Sequence, residues 1–416
     1  QLEDKEYPVN IVWCEDERDL LLMFSAFLDE ADIDCLAGWN VNAFDLLYIM
    51  ERSIILFGET FAKSMYCRNG FDASKRSFVN EHKEETWEWN LVGRQHLDMM
   101  ALYKKLFPGE KKSFSLDNVC SEDIGISKME YDGDLGELYR TNPQKFMEYS
   151  LHDSRLLLKL DEKRNIIKMT MMLSRENCVL GKDVTGSVKL IEMSLIKFCR
   201  KKGNIVLPDK VEHEKNEKFE GAIVYDTIAG LHKWAFTVDL GSLYPSTMIM
   251  LGISAETMLF QLKNEYYDYI KVMEQQDTPV VFNDVRTEEE FSCTAAELFL
   301  IIKENGFTIS ANGTIFSGEL GLLSEYVKQG FDQRKHYQNM MKIELEKGNK
   351  DIAQRYSLLE KVIKIRNNSV YGATGEKSFF LYDLRISKSI TLSAQIISKQ
   401  QAMYANMLMD KIENDL

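Results

Sequence analysis

Three carboxylates stand where chain geometry could put them to work on a metal ion. Asp45 closes the run Gly38-Trp39-Asn40-Val41-Asn42-Ala43-Phe44-Asp45, where a strand end turns into a helix. Strand ends and first helical turns are where α/β proteins expose functional side chains. A helix-dipole or capping Asp would sit at the same place. Tyr149 and Asp153 lie four apart on one predicted helix and so share a face. A phenol beside a carboxylate can hold a divalent cation and orient a water, although this spacing is common in helices with no such role. Asp239 ends the apolar run Trp234-Ala-Phe-Thr-Val-Asp-Leu240, which reads as a strand. A carboxylate there is costly unless it meets a cation or hydrogen-bond donors. Gly241-Ser242-Leu243-Tyr244-Pro245-Ser246 then opens a helix whose N-terminal amides could face phosphate. A metal-holding Asp beside such a turn suits a nucleoside triphosphate, and a buried Asp satisfying its own turn is the plainer alternative.

A second kind of chemistry lies farther along. Between Lys328 and Arg366 there are ten Lys or Arg against five Asp or Glu, inside a chain of net charge −14. Lys364, Asn368 and Tyr371 fall at i, i+4 and i+7. A cation, an amide and an aromatic plane in one stripe fit a phosphate, a sugar or base edge, and a base face. Arg334, on a preceding helix, could reach the same ligand. Charge runs are often only solvated faces.

The elements that must position these residues follow from periodicity. Residues 32 to 40 read as a buried strand, and a helix is expected from about Ala43 to Phe57. Alternation around Trp87, Trp89 and Leu91 predicts a strand or hairpin arm. Asn142-Pro143 opens a helix expected to reach about Lys168. The segment from about Glu265 to Phe316 is mixed and carries no clear period. Gly321 to Lys347 and Ile352 to Tyr371 predict two long helices. With Gly348 ending the first and Asp351 capping the second, they should form an antiparallel hairpin whose second helix is on the order of 30 Å long.

Composition sets the frame. The 416 residues exceed one compact core, so two or three domains are expected. Hydrophobic residues at 45% and charged residues at 28% are ordinary for a water-soluble protein. Apolar runs such as Leu298 to Ile302 are too short to cross a bilayer, and no signal peptide is evident, so no membrane partner is expected. Seven scattered Cys without a paired spacing read as reduced thiols of a cytoplasmic protein, with no zinc site. The negative net charge argues weakly against nucleic acid, but a local basic surface is enough to hold phosphates.

These segments resemble the motifs of family B DNA polymerases. Asp239-Leu-Gly-Ser-Leu-Tyr-Pro-Ser246 is similar to their motif A, and Lys364-Ile-Arg-Asn-Asn-Ser-Val-Tyr-Gly372 to motif B. Gly38 to Ile49 resembles the second exonuclease motif, and Tyr149-Ser-Leu-His-Asp153 the third. Tyr48-Ile-Met-Glu51, Phe57-Gly-Glu-Thr60, Leu102-Tyr-Lys-Lys105 and Tyr382-Asp-Leu-Arg385 extend the resemblance toward the T-even bacteriophage branch.

The resemblance implies a multidomain α/β chain. A ribonuclease-H-like exonuclease domain would precede a ferredoxin-like palm interrupted by an antiparallel helical fingers hairpin. The implied limits are 1–165 for the exonuclease, 166–210 for a helical connector, 211–320 for the first palm part, 321–376 for the fingers and 377–416 for the second palm part. Asp45 and Asp153 would bind metal in a 3′→5′ exonuclease, with Tyr149 placing the water. Asp239 and the Leu240 carbonyl would bind metal in the polymerase site. Amides of Ser242, Leu243 and Tyr244 would hold the triphosphate, and the Tyr244 ring would block a ribose 2′-OH. Arg334 and Lys364 would grip the triphosphate, with Asn368 and Tyr371 facing the nascent base pair. Gly221 and Ala222, in a degenerate linker motif, and Gly372 would contact DNA.

The implied cofactor is Mg²⁺, two per active site in the complete enzyme. The implied partners are primer-template DNA, deoxynucleoside triphosphates, a sliding clamp and other replication proteins. The first exonuclease motif and motif C are missing from the chain, and position 338 is Gln where relatives carry a second basic residue. The chain, which opens on Gln1, is therefore expected to be a portion of a larger polymerase, or else a split subunit needing a partner, and inactive alone.

Overall fold

Caps and turns along the sequence locate most of the elements in the computed structural model. It describes all residues except 1–8, 80–84, 132, 204, 212–220, 222, 224–225, 227–228, 232–236, 264–276 and 416. The chain divides into two compact units, Gln1–Thr185 and Gly186–Leu416.

The first unit runs α1 (Glu17–Glu30), β1 (Cys35–Gly38), α2 (Asp45–Phe57), α3 (Glu59–Met65), β2 (Ser74–Val79), β3 (Glu85–Asn90), β4 (Gln95–Asp98), α4 (Met99–Leu106), α5 (Leu116–Ile124), α6 (Leu135–Thr141), α7 (Pro143–Arg164) and α8 (Ile166–Asn177). Strands β1 and β4 pair in parallel, with Gly38 beside Asp98. Their C-terminal ends therefore lie together, and α2 and α4 both start there. Asp98 caps α4 by accepting from the Met100 and Ala101 amides, and it also takes the Asn40 amide at 3.3 Å. The hairpin β2–β3 contains the strand expected around Trp87 and Trp89. A core of Leu28, Leu46, Met50, Tyr66 and Trp89 packs α1, α2 and the hairpin together.

The long helix expected from Asn142 is shorter than its apolar period implied. Asn142 accepts from the Lys145 amide and Pro143 fills the first turn, as expected. The helix ends at Arg164, because Asn165 turns left-handed (φ 57°) and α8 starts afresh. Asn tolerates that conformation better than most residues, and it separates two helices whose hydrophobic patterns run together.

The second unit runs α9 (Ser187–Gly203), α10 (Leu243–Leu251), β5 (Met258–Leu262), β6 (Pro279–Asp284), β7 (Glu290–Thr294), α11 (Ala295–Glu304), β8 (Thr308–Ile309), β9 (Thr314–Phe316), α12 (Leu322–Glu346), α13 (Lys350–Thr374) and α14 (Leu384–Asp415). The aperiodic stretch holds most of an antiparallel five-stranded sheet in the order β7-β6-β5-β9-β8. Leu298 and Ile302 of α11 pack on it against Val280, Phe282 and Ile315.

The strand expected at Trp234 to Leu240 is tested, and corrected, only at its C-terminal end. Residues 232–236 lie outside the described residues, and 237–240 form no strand. Among the described residues the sheet draws all its strands from Met258 to Phe316, and none of them pairs with the residues around Asp239. Asp239 is exposed, and water removes the desolvation cost that burial would have imposed.

Helices α12 and α13 form the expected antiparallel hairpin, the second about 37 Å long by its 25 residues. Gly348 makes the turn at φ 80°. The cap position belongs to Asn349, and Asp351 lies within the first turn of α13. Glu344 decides this: its carboxylate takes Asn349 Nδ2 and Lys347 Nζ, both at 2.8 Å, and its carbonyl takes the Asn349 amide. One face of α13 is buried through Val362, Ile363, Asn367, Val370 and Ala373, against Leu323, Tyr326 and Val327 of α12 and Ile191 and Leu195 of α9. That burial turns Lys364, Asn368 and Gly372 outward.

Candidate active sites

In the first unit, Asp45, Tyr149 and Asp153 line one cavity of about 990 Å³, reached from the C-terminal ends of β1 and β4. The turn Trp39–Phe44 delivers Asp45 to the first position of α2. Packing behind the Asp45 carboxyl raises it above the ordinary carboxylate range, and the charge of Asp98 adds to the rise. Tyr149 and Asp153 reach the same cavity from α7.

A residue missed by sequence reasoning joins them. Lys128, in the loop between α5 and α6, places its ammonium 2.6 Å from Asp153 Oδ2 and 3.3 Å from the Tyr149 hydroxyl. The loop is fixed by the Lys128 amide on Asp117 (2.7 Å) and by His152, which donates to the Ser127 carbonyl at 2.9 Å. Burial disfavours the Lys128 cation, but the hydrogen bonds to Asp153 and Tyr149 outweigh it and raise the ammonium's pKa. Separation of 25 residues gives no periodic signal, so only the fold brings Lys128 to Asp153.

The other Asp153 oxygen, Oδ1, is buried without a hydrogen-bond partner. A bare buried carboxylate oxygen is what a hard cation would satisfy. No group of three or more acidic, His or Cys side chains among the described residues is placed to hold a metal. Mg²⁺ commonly takes one or two carboxylates and fills its remaining positions with water and phosphate oxygens. The residues present therefore fit part of such a site.

In the second unit, two contacts join expected nucleotide-binding residues, Arg334 to Ser242 and Tyr244 to Tyr371. Ser242 adopts a left-handed conformation (φ 57°, ψ 50°) just before α10. Arg334 Nη1 of α12 donates to Ser242 Oγ at 3.0 Å. The Tyr244 ring lies 4.6 Å from the Tyr371 ring, tilted by 40°. Burial raises the Tyr371 phenol pKa, with Tyr244 adding to it. Lys364, Asn368 and Gly372 stand exposed along α13. Asp239 precedes the Ser242 turn, exposed, with Leu240 half-buried beside it. The Gly221 carbonyl accepts from Gln395 Nε2 at 2.6 Å, and Ala222 lies outside the described residues.

Glu360 was also missed. It accepts from Arg334 and Gln338, and its place four before Lys364 puts it on the same stripe. That spacing was the available signal.

The model of DNA polymerase family B matches residues 183–415, and that of the family B exonuclease domain matches residues 1–119. The DNA-directed DNA polymerase of Escherichia phage RB69 is 27% identical over 414 residues, covering 92% of this chain and 44% of the relative. That of Enterobacteria phage T4 is 25% identical, covering 96% and 46%. The DNA polymerase delta catalytic subunit of Caenorhabditis elegans is 27% identical, covering 92% and 33%. The chain thus spans less than half the length of these relatives. The family B DNA polymerase of Pyrobaculum calidifontis shares the fold at a TM-score of 0.66 and 20% identity, over 94% of this chain and 46% of that one. The family match takes in both helices of the basic hairpin and the Ser242 turn, which is more than half the chain, and on it the chain belongs to DNA polymerase family B.

Proposed function

We propose that this chain carries the nucleotide-binding half of a DNA-directed DNA polymerase site in its second unit, and part of a 3′→5′ proofreading exonuclease in its first. The Arg334–Ser242 hydrogen bond carries the reading, because it joins the basic hairpin to the turn that would receive a triphosphate. On this reading α12 and α13 are the fingers, the five-stranded sheet belongs to a ferredoxin-like palm, and the parallel strands β1 and β4 belong to a ribonuclease-H-like sheet. The proposed limits are 1–165, 166–210, 211–320, 321–376 and 377–416.

In the polymerase site, Asp239 and the Leu240 carbonyl would hold Mg²⁺, and the amides of Ser242, Leu243 and Tyr244 would cradle the triphosphate. Arg334 and Lys364 would neutralise it. Tyr244, braced on Tyr371, would stand where a ribose 2′-OH would project, and Asn368 would face the sugar or base edge. Gly221, Ala222 and Gly372 would lie against the DNA. Mg²⁺, two ions per complete site, would supply charge stabilisation to the attacking and leaving oxygens.

In the exonuclease site, Asp45 and Asp153 would be the metal-binding carboxylates, and Tyr149 would orient the hydrolytic water. Lys128 would hold one Asp153 oxygen, leaving the other to the cation, and keep a positive charge near the scissile phosphate. The substrates would be primer-template DNA and deoxynucleoside triphosphates, with a sliding clamp and other replication proteins as partners, in the cytoplasm, which would be the host's if the chain is phage-encoded. No helix among the described residues is long and apolar enough to cross a membrane.

The test is Mg²⁺-dependent primer extension and 3′-end trimming by the full polypeptide from its source. Asp239→Ala should abolish extension alone, and Asp153→Ala trimming alone. Extension surviving in Asp239→Ala would remove the polymerase assignment from this turn.

A further inference from the structure

The guanidinium assigned to the triphosphate already has an anion. Arg334 Nε and Nη2 both donate to Glu360 Oε1, at 2.9 and 2.6 Å, and Gln338 Nε2 reaches the same oxygen at 3.2 Å. Arg334 and Glu360 side chains are each only 17% exposed. Nη1 alone points away, to Ser242 Oγ. The ion pair therefore sits at the mouth of the proposed phosphate site, partly shielded from water, where charges interact more strongly than on an open surface.

A carboxylate at this place is not required by packing. Gln would fill the same volume, and its amide oxygen would still accept from Nε and Nη2. What Gln would lack is negative charge, and negative charge opposes an incoming triphosphate. Gln338, the neutral neighbour on α12, does nothing to offset it.

We propose that Glu360 is an internal competitor for Arg334. It holds the guanidinium while the site is empty, weakens its grip on the triphosphate, and takes it back as pyrophosphate leaves. Glu360 is a positioning residue on this account, acting through Arg334. An interaction that weakens substrate and product binding alike raises KM while speeding release, which favours turnover when release is slow. The proposal rests on the reading of Ser242 and Arg334 as triphosphate ligands.

The experiment measures binding of inorganic tripolyphosphate with Mg²⁺ to the full chain by calorimetry, in wild type, Glu360→Gln, Glu360→Ala and Arg334→Ala. Both Glu360 variants should bind roughly tenfold more tightly, as removal of a like charge at such a site implies. Arg334→Ala should bind at least tenfold more weakly, a loss of about 1.4 kcal/mol or more. In steady-state extension by the full polypeptide, Glu360→Gln should lower both the nucleotide KM and kcat. If Arg334→Ala weakens binding but neither Glu360 variant tightens it, Glu360 merely orients the guanidinium and the competition is overturned, with the triphosphate reading intact. If Arg334→Ala leaves binding unchanged, both fall.

Discussion

Gly330 of α12 packs directly against the Asn367 side chain of α13, and replacing it with Ala tests how the proposed nucleotide-binding stripe is held. A Cβ at Gly330 would lie 2.1 Å from Asn367 Oδ1 and 2.4 Å from its Nδ2. Asn367 cannot swing aside freely: it is 3% exposed, and its Nδ2 donates to the Val327 carbonyl at 3.2 Å. Two effects compete. Ala gains about 1 kcal/mol over Gly in a helix interior. Against this, overpacking a tight contact costs about 1–3 kcal/mol, and a buried amide displaced from its partner costs a further ~1–3 kcal/mol. The loss wins, at a net destabilisation of about 1–5 kcal/mol.

The assay is urea unfolding of the chain, with the second unit's transition followed by hydrogen exchange in α12 and α13. Gly330→Ala should lower that transition and leave the first unit's unchanged. Adding Asn367→Ala should return part of the loss, because the two sites share one contact and their effects are not additive. A Gly330→Ala chain as stable as wild type, or more stable, would show that helix propensity dominates and that Gly330 is no close-approach site.

Three further outcomes are expected. Lys128→Met in the full polypeptide should cut 3′-end trimming by about 10²-fold with extension intact, since one positioned charged donor is lost; trimming within threefold of wild type would remove Lys128 from the site. Tyr244→Ala should raise ribonucleotide incorporation relative to deoxyribonucleotide by at least about tenfold, as an opened steric gate adds back ~1.4 kcal/mol, and an unchanged ratio in single-nucleotide extension would end its gate role. Asp123 concerns pH. Burial opposes its ionisation, but hydrogen bonds from Arg164, Tyr103 and Lys111 outweigh that and hold the carboxyl well below the usual range. A depressed folded pKa contributes stability above the unfolded value of about 3.9, and the contribution is lost as pH falls below it. Asp123→Asn should therefore destabilise the first unit by about 3–5 kcal/mol at pH 7 and flatten its loss of stability from pH 5 to pH 3. A variant profile with the wild-type acid slope would refute the assignment.

Legibility in the sequence followed the range over which each physical signal acts. Caps and periodicity are local, so Asn142-Pro143, the α12–α13 hairpin and the outward stripe of Lys364 and Asn368 could be read directly. Where two local signals overlapped, the reading slipped: the break at Asn165 hides inside a continuous apolar period, and Asp351 looked a better cap than Asn349 because Glu344 acts from the other helix. The sheet was illegible for a different reason. Strands of two to six residues carry too few repeats to show alternation. Asp239 shows the limit of arguing burial from composition, since an apolar run does not say whether a sheet will receive it.

The site divides along the same line, and the division has a consequence for what to mutate. Residues that share a motif, such as Tyr149 with Asp153, can be paired from the sequence because one helix holds both. Their partners come from elsewhere: Lys128 from a loop 25 residues away, Glu360 from the helix opposite Arg334. Each partner is a charge set against a charged motif residue, and each therefore governs how strongly that residue can engage a ligand of its own. Lys128 opposes Asp153 with a cation, leaving one oxygen bare. Glu360 opposes Arg334 with an anion, leaving one nitrogen, Nη1, turned to Ser242. On the proposed reading, substituting the motif residues should remove function outright, whereas neutralising their opposing charges should change affinity and rate in separable ways. On that reading, the opposing charges are where the two sites would be tuned.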